Sequence, residues 1–252
     1  MESHTAMSAI LASDTDAISF STEDVAPNHP LKIVRREDKP ERPPNLVPLY
    51  ERDDLNEARN YAKNLDKDTG QRLEAILSRL ANANRWRSLT TAVKPRCVLA
   101  LKQRFPNFSE VIEEVVLHLV LARLADKDQA ALSMPPILLV GPPGVGKTYF
   151  ARELCNTLGA AFWETNMSSN SAGFILSGLD MGWSNGKPGL VFRALLESQA
   201  VNPLILLDEI DKANSESRSD PLGPLYSLLE PHTARRFRDE AITLPMDASH
   251  IL

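Results

Sequence analysis

The octapeptide Gly141-Pro-Pro-Gly-Val-Gly-Lys-Thr148 constrains the fold of this chain more than any other stretch. It follows the apolar run Ile137-Leu-Leu-Val140 and precedes a helical pattern that lasts to about Leu158. A short apolar run bounded by glycine and proline predicts a buried strand over 137–140. Gly141, Gly144 and Gly146 let the backbone curl so that several N–H groups point inward. The helix that opens next aims its N-terminus at the same place, where negative charge is favoured. Lys147 is placed to reach β- and γ-phosphates, and Thr148 to set its hydroxyl on Mg²⁺. Pro142, Pro143, Val145 and Tyr149 complete the expected cradle. The stretch therefore predicts a phosphate-binding loop for ATP, or a close nucleotide relative, with Mg²⁺.

Such a loop needs a metal-holding partner from another strand. Pro203 precedes Leu204-Ile-Leu-Leu-Asp-Glu209, an apolar run ending in two acids. Alone, this reads as a strand that meets solvent. Downstream of a phosphate-binding loop, Asp208 is expected to hold Mg²⁺ directly or through water. Glu209 is expected to polarise a water for in-line attack on the γ-phosphate. Glu209 and Lys147 are thus the candidate catalytic residues. Ala160 to Glu164 reads as a further strand and Leu190 to Ser198 as a helix. Strands alternating with helices predict an α/β fold with a parallel sheet and helices on both faces.

The chain before the loop has a different character. Residues 1–45 are polar, charged and proline-rich, which predicts a disordered tail, with a partner-binding segment as the other reading. Residues 46–130 read as a helical region. Asp54 with Glu57 and Asn107 with Glu110 have capping-box spacing. Leu55, Ala58, Ala62 and Leu65, then Leu73, Ile76, Leu77 and Leu80, recur at helical spacing. Ile112, Val115, Val116, Leu119, Val120 and Leu124 give the last helix a broad apolar face. Packing accounts for these stripes. Residues 131–252 remain as a partial nucleotide-binding core. Cys97 and Cys155 read as buried small hydrophobes rather than a bridge. The net charge of −5 predicts no broad basic face, so nucleic acid is not an expected partner. The N-terminus lacks a basic segment followed by a long apolar one. The apolar run from Val115 to Leu121 is broken by His118 and is too short to span a bilayer. The expected location is cytoplasmic, with no membrane partner.

Five further segments narrow the reading. Asp208-Glu-Ile-Asp-Lys212, Arg218-Ser-Asp-Pro221, Leu228-Leu-Glu-Pro231, Phe237-Arg-Asp239 and Leu244-Pro-Met-Asp247 follow the loop in order. With it, they resemble the AAA+ ATPase module of Lon-type ATP-dependent proteases. The resemblance runs from about residue 134 to 252, and residues 1 to about 105 do not match that family's substrate-binding N-domain. It implies ATP hydrolysis that drives unfolding or translocation of a protein substrate by a homo-hexamer, coupled to proteolysis in an intact form. It also implies that Trp183, just before Pro188-Gly189, lines a central pore and grips an unfolded chain. Family members carry Tyr followed by an aliphatic residue, whereas here Trp183 is followed by Ser184. The other reading of Trp183 is a half-buried side chain at a loop base.

The resemblance further implies strand order 5-1-4-3-2, with the fourth strand beginning near Ala248-Ser-His-Ile-Leu252. The expected core is therefore incomplete and C-terminally truncated. Strands 1 and 3 would be separated by a one-strand gap, at about 1–3 kcal/mol for each buried backbone group left unpaired. A complete fourth strand is expected to be needed for a stable sheet, and turnover is not expected of these residues alone. Two other functions fit the same residues: nucleotide or partner binding without turnover, and remodelling by an AAA+ ATPase without a protease.

Overall fold

Backbone groups that lose water must find partners, and the short elements at the start of the chain do so across long sequence distances. In the computed structural model the described residues are 46–126, 130–168, 172–213 and 222–252. The tail expected over 1–45 and the segment Arg218-Ser-Asp-Pro221 lie outside them. Strand β1 (Leu46–Pro48) leads into helices α1 (Arg52–Lys63) and α2 (Lys67–Asn82). Leu55, Ala58 and Ala62 of α1 and Leu73, Leu77 and Leu80 of α2 are buried, as their spacing predicts. The helices approach closely where Gly70 faces the Ala62 carbonyl; a Cβ at Gly70 would lie 2.5 Å from that oxygen. Asp66 caps α2 by accepting the Thr69 N–H at 3.1 Å.

The box expected at Asp54 and Glu57 does not form. Helix α1 starts at Arg52, with Glu51 at the cap position and no side-chain cap. Asp54 lies inside the first turn, and its carboxylate takes two hydrogen bonds from Arg236 at 3.1 and 3.2 Å. A paired guanidinium is a stronger donor than a backbone amide. Strand β2 (Trp86–Ser88) runs antiparallel to β1, with Val47 opposite Arg87. Three-residue strands are too short to display an alternating pattern, so neither was expected. Helix α3 (Pro95–Leu99) and 3₁₀ turns at Ala100–Gln103 and Pro106–Phe108 lead to α4 (Ser109–Ala125). Phe108, not Asn107, takes the cap position of α4. The apolar face of α4 is narrower than predicted: Ile112, Val115 and Leu119 are buried, but Val120 and Leu124 are exposed.

The remainder alternates as expected. Helix α5 (Lys147–Leu158) ends at Gly159, whose φ of +71° suits a residue without Cβ. Then come β3 (Phe162–Asn166), α6 (Ala172–Ser177), α7 (Leu190–Glu197), β4 (Leu204–Asp208), α8 (Gly223–Leu229) and α9 (Pro231–Ala234). Strands β3 and β4 pair in parallel, from Phe162 opposite Leu204 to Asn166 opposite Asp208. Alternate residues face opposite sides. Phe162 and Leu204 pack with Phe150, Leu154 and Leu158 of α5 and with α4. Trp163, Ile205 and Leu207 pack on the other side against Leu176 and Leu190.

Two further expectations are corrected. Residues 137–140 form no strand among the described residues, and Leu138 and Val140 are 71% and 86% exposed. A lone extended segment keeps its backbone groups in water. Among the described residues, the edge of β4 away from β3 is met by Leu252, whose N–H donates to Pro203 and whose carbonyl accepts the Ile205 N–H, both at 2.9 Å. Cys97 is exposed, because α3 presents Val98 rather than Cys97 to the core. Cys155 is buried as expected, and burial pushes its thiol up to about 11.

One apolar core contains Leu49, Leu73 and Leu77 together with Met181, Phe192, Phe237 and Met246. The helical region is further tied in by polar bonds. Arg87 donates to the carbonyls of Leu196 and Ser198 at the end of α7, at 3.3 and 3.0 Å. The buried Asn202 accepts the Thr90 N–H and donates to the Leu132 carbonyl, both at 2.8 Å. Among the described residues no helix is long and apolar enough to cross a membrane.

Candidate functional site

The loop 141–146 is shaped by two glycines in a backbone region that L side chains rarely adopt. Gly144 has φ +81° and Gly146 φ +89°, and a Cβ at either would meet nothing within 4 Å. The constraint is therefore conformational, not steric crowding. Gly146 is the N-cap of α5, and the Phe150 N–H closes the first turn on its carbonyl at 2.8 Å. Lys147 folds back over the loop, donating to the carbonyls of Gly141 at 2.8 Å and Pro142 at 3.0 Å.

The loop and the acidic strand end meet directly. Thr148 Oγ1 donates to Asp208 Oδ2 at 2.8 Å. The other carboxylate oxygen of Asp208 accepts the Glu209 N–H at 2.9 Å. Parallel pairing of β3 with β4, and packing of α5 on both, bring these groups together. A hydroxyl and a carboxylate oxygen at this separation are hard donors of the type Mg²⁺ takes, and Thr148 and Asp208 would be the residues to hold such an ion.

Glu209 has a backbone of its own kind. Its φ of +55° makes it the one non-glycine residue with positive φ among the described residues. Its carboxylate is held on both sides, by Lys212 Nζ at 2.6 Å and by Asn166 Nδ2 at 3.0 Å. The Lys212 ammonium first, then the Asn166 amide and the Ser168 hydroxyl, lower the Glu209 carboxyl to about 2. Lys212 is raised in return by the same contact. Sequence reasoning gave Asn166, Ser168 and Lys212 no role. Asn166 lies opposite Asp208 at the strand ends, a register that no local sequence pattern encodes.

Residues outside the octapeptide also brace it. Asn107 donates to the Val145 carbonyl at 3.3 Å. Tyr149 turns toward the same segment: its hydroxyl accepts from Arg104 at 2.6 Å, and Arg104 also reaches Glu153 at 2.6 Å. Beneath them Phe150 is stacked on Phe108, with ring centroids 4.3 Å apart and planes 4° from parallel. Pro143 is exposed beside them.

A family model described as "ATPase family associated with various cellular activities (AAA)" matches residues 137–245. "Lon protease homolog 2, peroxisomal" of Pichia angusta is 41% identical over 128 residues, which is 50% of this chain and 14% of that protein. The Lon protease of Mycoplasma mycoides subsp. mycoides is 36% identical over 122 residues, 48% of this chain and 15% of its own length. That of Halothermothrix orenii is 31% identical over 146 residues, 58% of this chain and 18% of its own length. The chain carries a Lon-type AAA+ module. It has the P-loop α/β fold. The matched stretch spans less than a fifth of each of these relatives.

A groove of about 1220 Å³ is lined by residues outside the P-loop. Trp183 and Asp180 line it, with Tyr50 and Asp54 of the helical region and Arg235 and Arg236 beyond α9. Trp183 is 65% exposed, which removes the half-buried reading of this side chain. None of the P-loop residues lines that groove.

Proposed function

We propose that the module binds MgATP at residues 141–149 and hydrolyses it, using the energy to draw an unfolded protein past Trp183 in a homo-hexameric ring. The observation that carries the nucleotide part is the 2.8 Å bond between Thr148 and Asp208, which joins the phosphate loop to the acidic strand end. Thr148 and Asp208 hold Mg²⁺ in this reading, and the ion supplies neutralisation of charge on the phosphate oxygens. Phosphate oxygens are charged acceptors and compete well against the Gly141 and Pro142 carbonyls for Lys147. The backbone N–H groups of the loop and the start of α5 bind the same oxygens.

Glu209 is the base. Held near 2, its carboxyl is ionised at neutral pH, but both oxygens are engaged by Lys212 and Asn166. It must leave them to accept a proton from water. The water oxygen then bonds to the γ-phosphorus, the bridging bond to the β-phosphate breaks, and ADP departs as the proton reaches Glu209. Trp183 belongs to the polypeptide, not to the nucleotide; an exposed aromatic at a groove rim offers an apolar face to any passing side chain.

A second reading, nucleotide binding without turnover, is favoured by the unpaired residues 137–140 directly before the loop. One experiment separates the two. Glu209→Gln is expected to bind a fluorescent ATP analogue as the parent does, and to lose hydrolysis by about 10²–10⁴-fold. Hydrolysis at the parent rate in this variant removes Glu209 from the mechanism. A parent chain that binds the analogue without any turnover establishes the second reading.

A further inference from the structure

Trp183 sits on a hairpin, residues 179–187, closed by paired bonds between Leu179 and Lys187 at 2.9 and 3.0 Å. Within it, Asp180 accepts the N–H groups of Gly182 at 2.7 Å and Trp183 at 3.1 Å, and Gly186 donates to the Trp183 carbonyl at 2.9 Å. Gly186 has no room for a Cβ, which would run into the Asp180 carbonyl. These bonds give the hairpin a shape but do not attach its tip to the rest of the protein.

Helix α2 makes that attachment. Arg72 Nη2 donates to the Gly186 carbonyl at 2.7 Å across 114 positions of sequence. Met181, two residues before Trp183, is buried in the core that contains Leu73 and Leu77 of the same helix. The hairpin is thus pinned on both sides of the exposed indole, by a charged donor after it and an apolar plug before it. Tyr50 and Asp54 of the helical region line the same groove as Trp183.

We propose that Arg72 is a positioning residue for Trp183, and that α2 is the platform that presents this indole to an unfolded polypeptide. This rests on the reading of Trp183 as the gripping residue. The helical region then has a task beyond packing: it fixes where the tip of the loop stands. A charge-assisted bond to a carbonyl is stronger than the amide–carbonyl bonds inside the hairpin. Its loss frees the tip while leaving Met181 and the P-loop in place.

The test uses the full chain with Trp86→Phe and Trp163→Phe, so that Trp183 is the one indole left. Arg72→Ala is expected to lower Trp183 anisotropy and raise its acrylamide quenching constant about twofold, with Arg72→Lys in between. Binding of fluorescein-labelled casein, as an unfolded polypeptide, is expected to weaken about tenfold, equivalent to about 1.4 kcal/mol. Affinity for the fluorescent ATP analogue stays as in the parent. Unchanged anisotropy and quenching in Arg72→Ala overturn the proposal. Casein binding lost in Trp183→Ala but intact in Arg72→Ala leaves the grip standing and overturns the positioning role. Casein binding untouched by Trp183→Ala overturns the grip and the proposal with it. If Arg72→Ala loses its far-ultraviolet helix signal, Arg72→Gln is read by the same three measurements.

Discussion

Asp239 makes folding stability depend on pH in a direction opposite to most carboxylates. It is 5% exposed, and accepts the Gly189 N–H at 2.7 Å and the Ala241 N–H at 2.9 Å. Burial raises its carboxyl from 3.8 to about 7, with a smaller push from Glu240, against the pull of these amides. A folded-state value above the unfolded one means that the native chain binds a proton the unfolded chain has released. Stability is then fully present below about 3.8, and is lost as pH rises towards about 7. At about 1.4 kcal/mol per pH unit, raising the pH from about 5.5 to 7 costs about 2 kcal/mol. Glu209 and Asp66 are shifted the other way, downward, so their effects fall in a more acid range. Urea unfolding at several pH values from about 5.5 to 8 measures this slope. Asp239→Asn has no proton to exchange and should lower stability while flattening the curve. An unfolding midpoint that is constant for the parent, or a slope that persists in Asp239→Asn, refutes the reasoning.

Other predictions concern packing and the Glu209 contact. Phe150→Ala empties a site stacked on Phe108 and should cost about 3–5 kcal/mol in urea unfolding. Gly70→Ala forces a methyl against the Ala62 carbonyl, and the same assay should read about 1–3 kcal/mol. Lys212→Ala removes the leading cause of the low Glu209 value, so carboxyl-carbon NMR should find its midpoint rising from about 2 towards the ordinary glutamate value of 4.5. The sign follows: any stability from this pairing is present above 4.5 and lost as pH falls through about 2, and Lys212→Ala removes that acid loss.

The sequence made the nucleotide site legible because its constraints are local. Gly144 and Gly146 are required by positive φ, and the apolar run before Asp208 is a strand by its own composition. Helices α1, α2, α5 and α7 were readable for a similar reason, since one buried face repeats at helical spacing. What could not be read depends on who meets whom. Asn166 reaches Glu209 only because β3 and β4 pair in one register. Arg72 reaches Gly186, and Arg236 draws Asp54 away from capping, across separations that no local pattern encodes. Residues 137–140 fail for the same reason in reverse: their composition suits a strand, but pairing decides whether a strand exists.

That failure leaves the two halves of the nucleotide site unequally built. The metal-holding half depends on α5, β3 and β4, and these are anchored by Phe150, Leu154, Leu158, Phe162 and Leu204 in one core. Residues 137–140 form no strand among the described residues, although Leu139 packs against this core, and Thr148 and Asp208 meet all the same. The loop's entry is another matter. Gly141 and Pro142 are exposed and are held by the Lys147 ammonium, the group that a phosphate would take from them. Phosphate binding therefore competes with two carbonyl acceptors for the Lys147 ammonium, and the net gain is the difference between a charged acceptor and these two neutral ones.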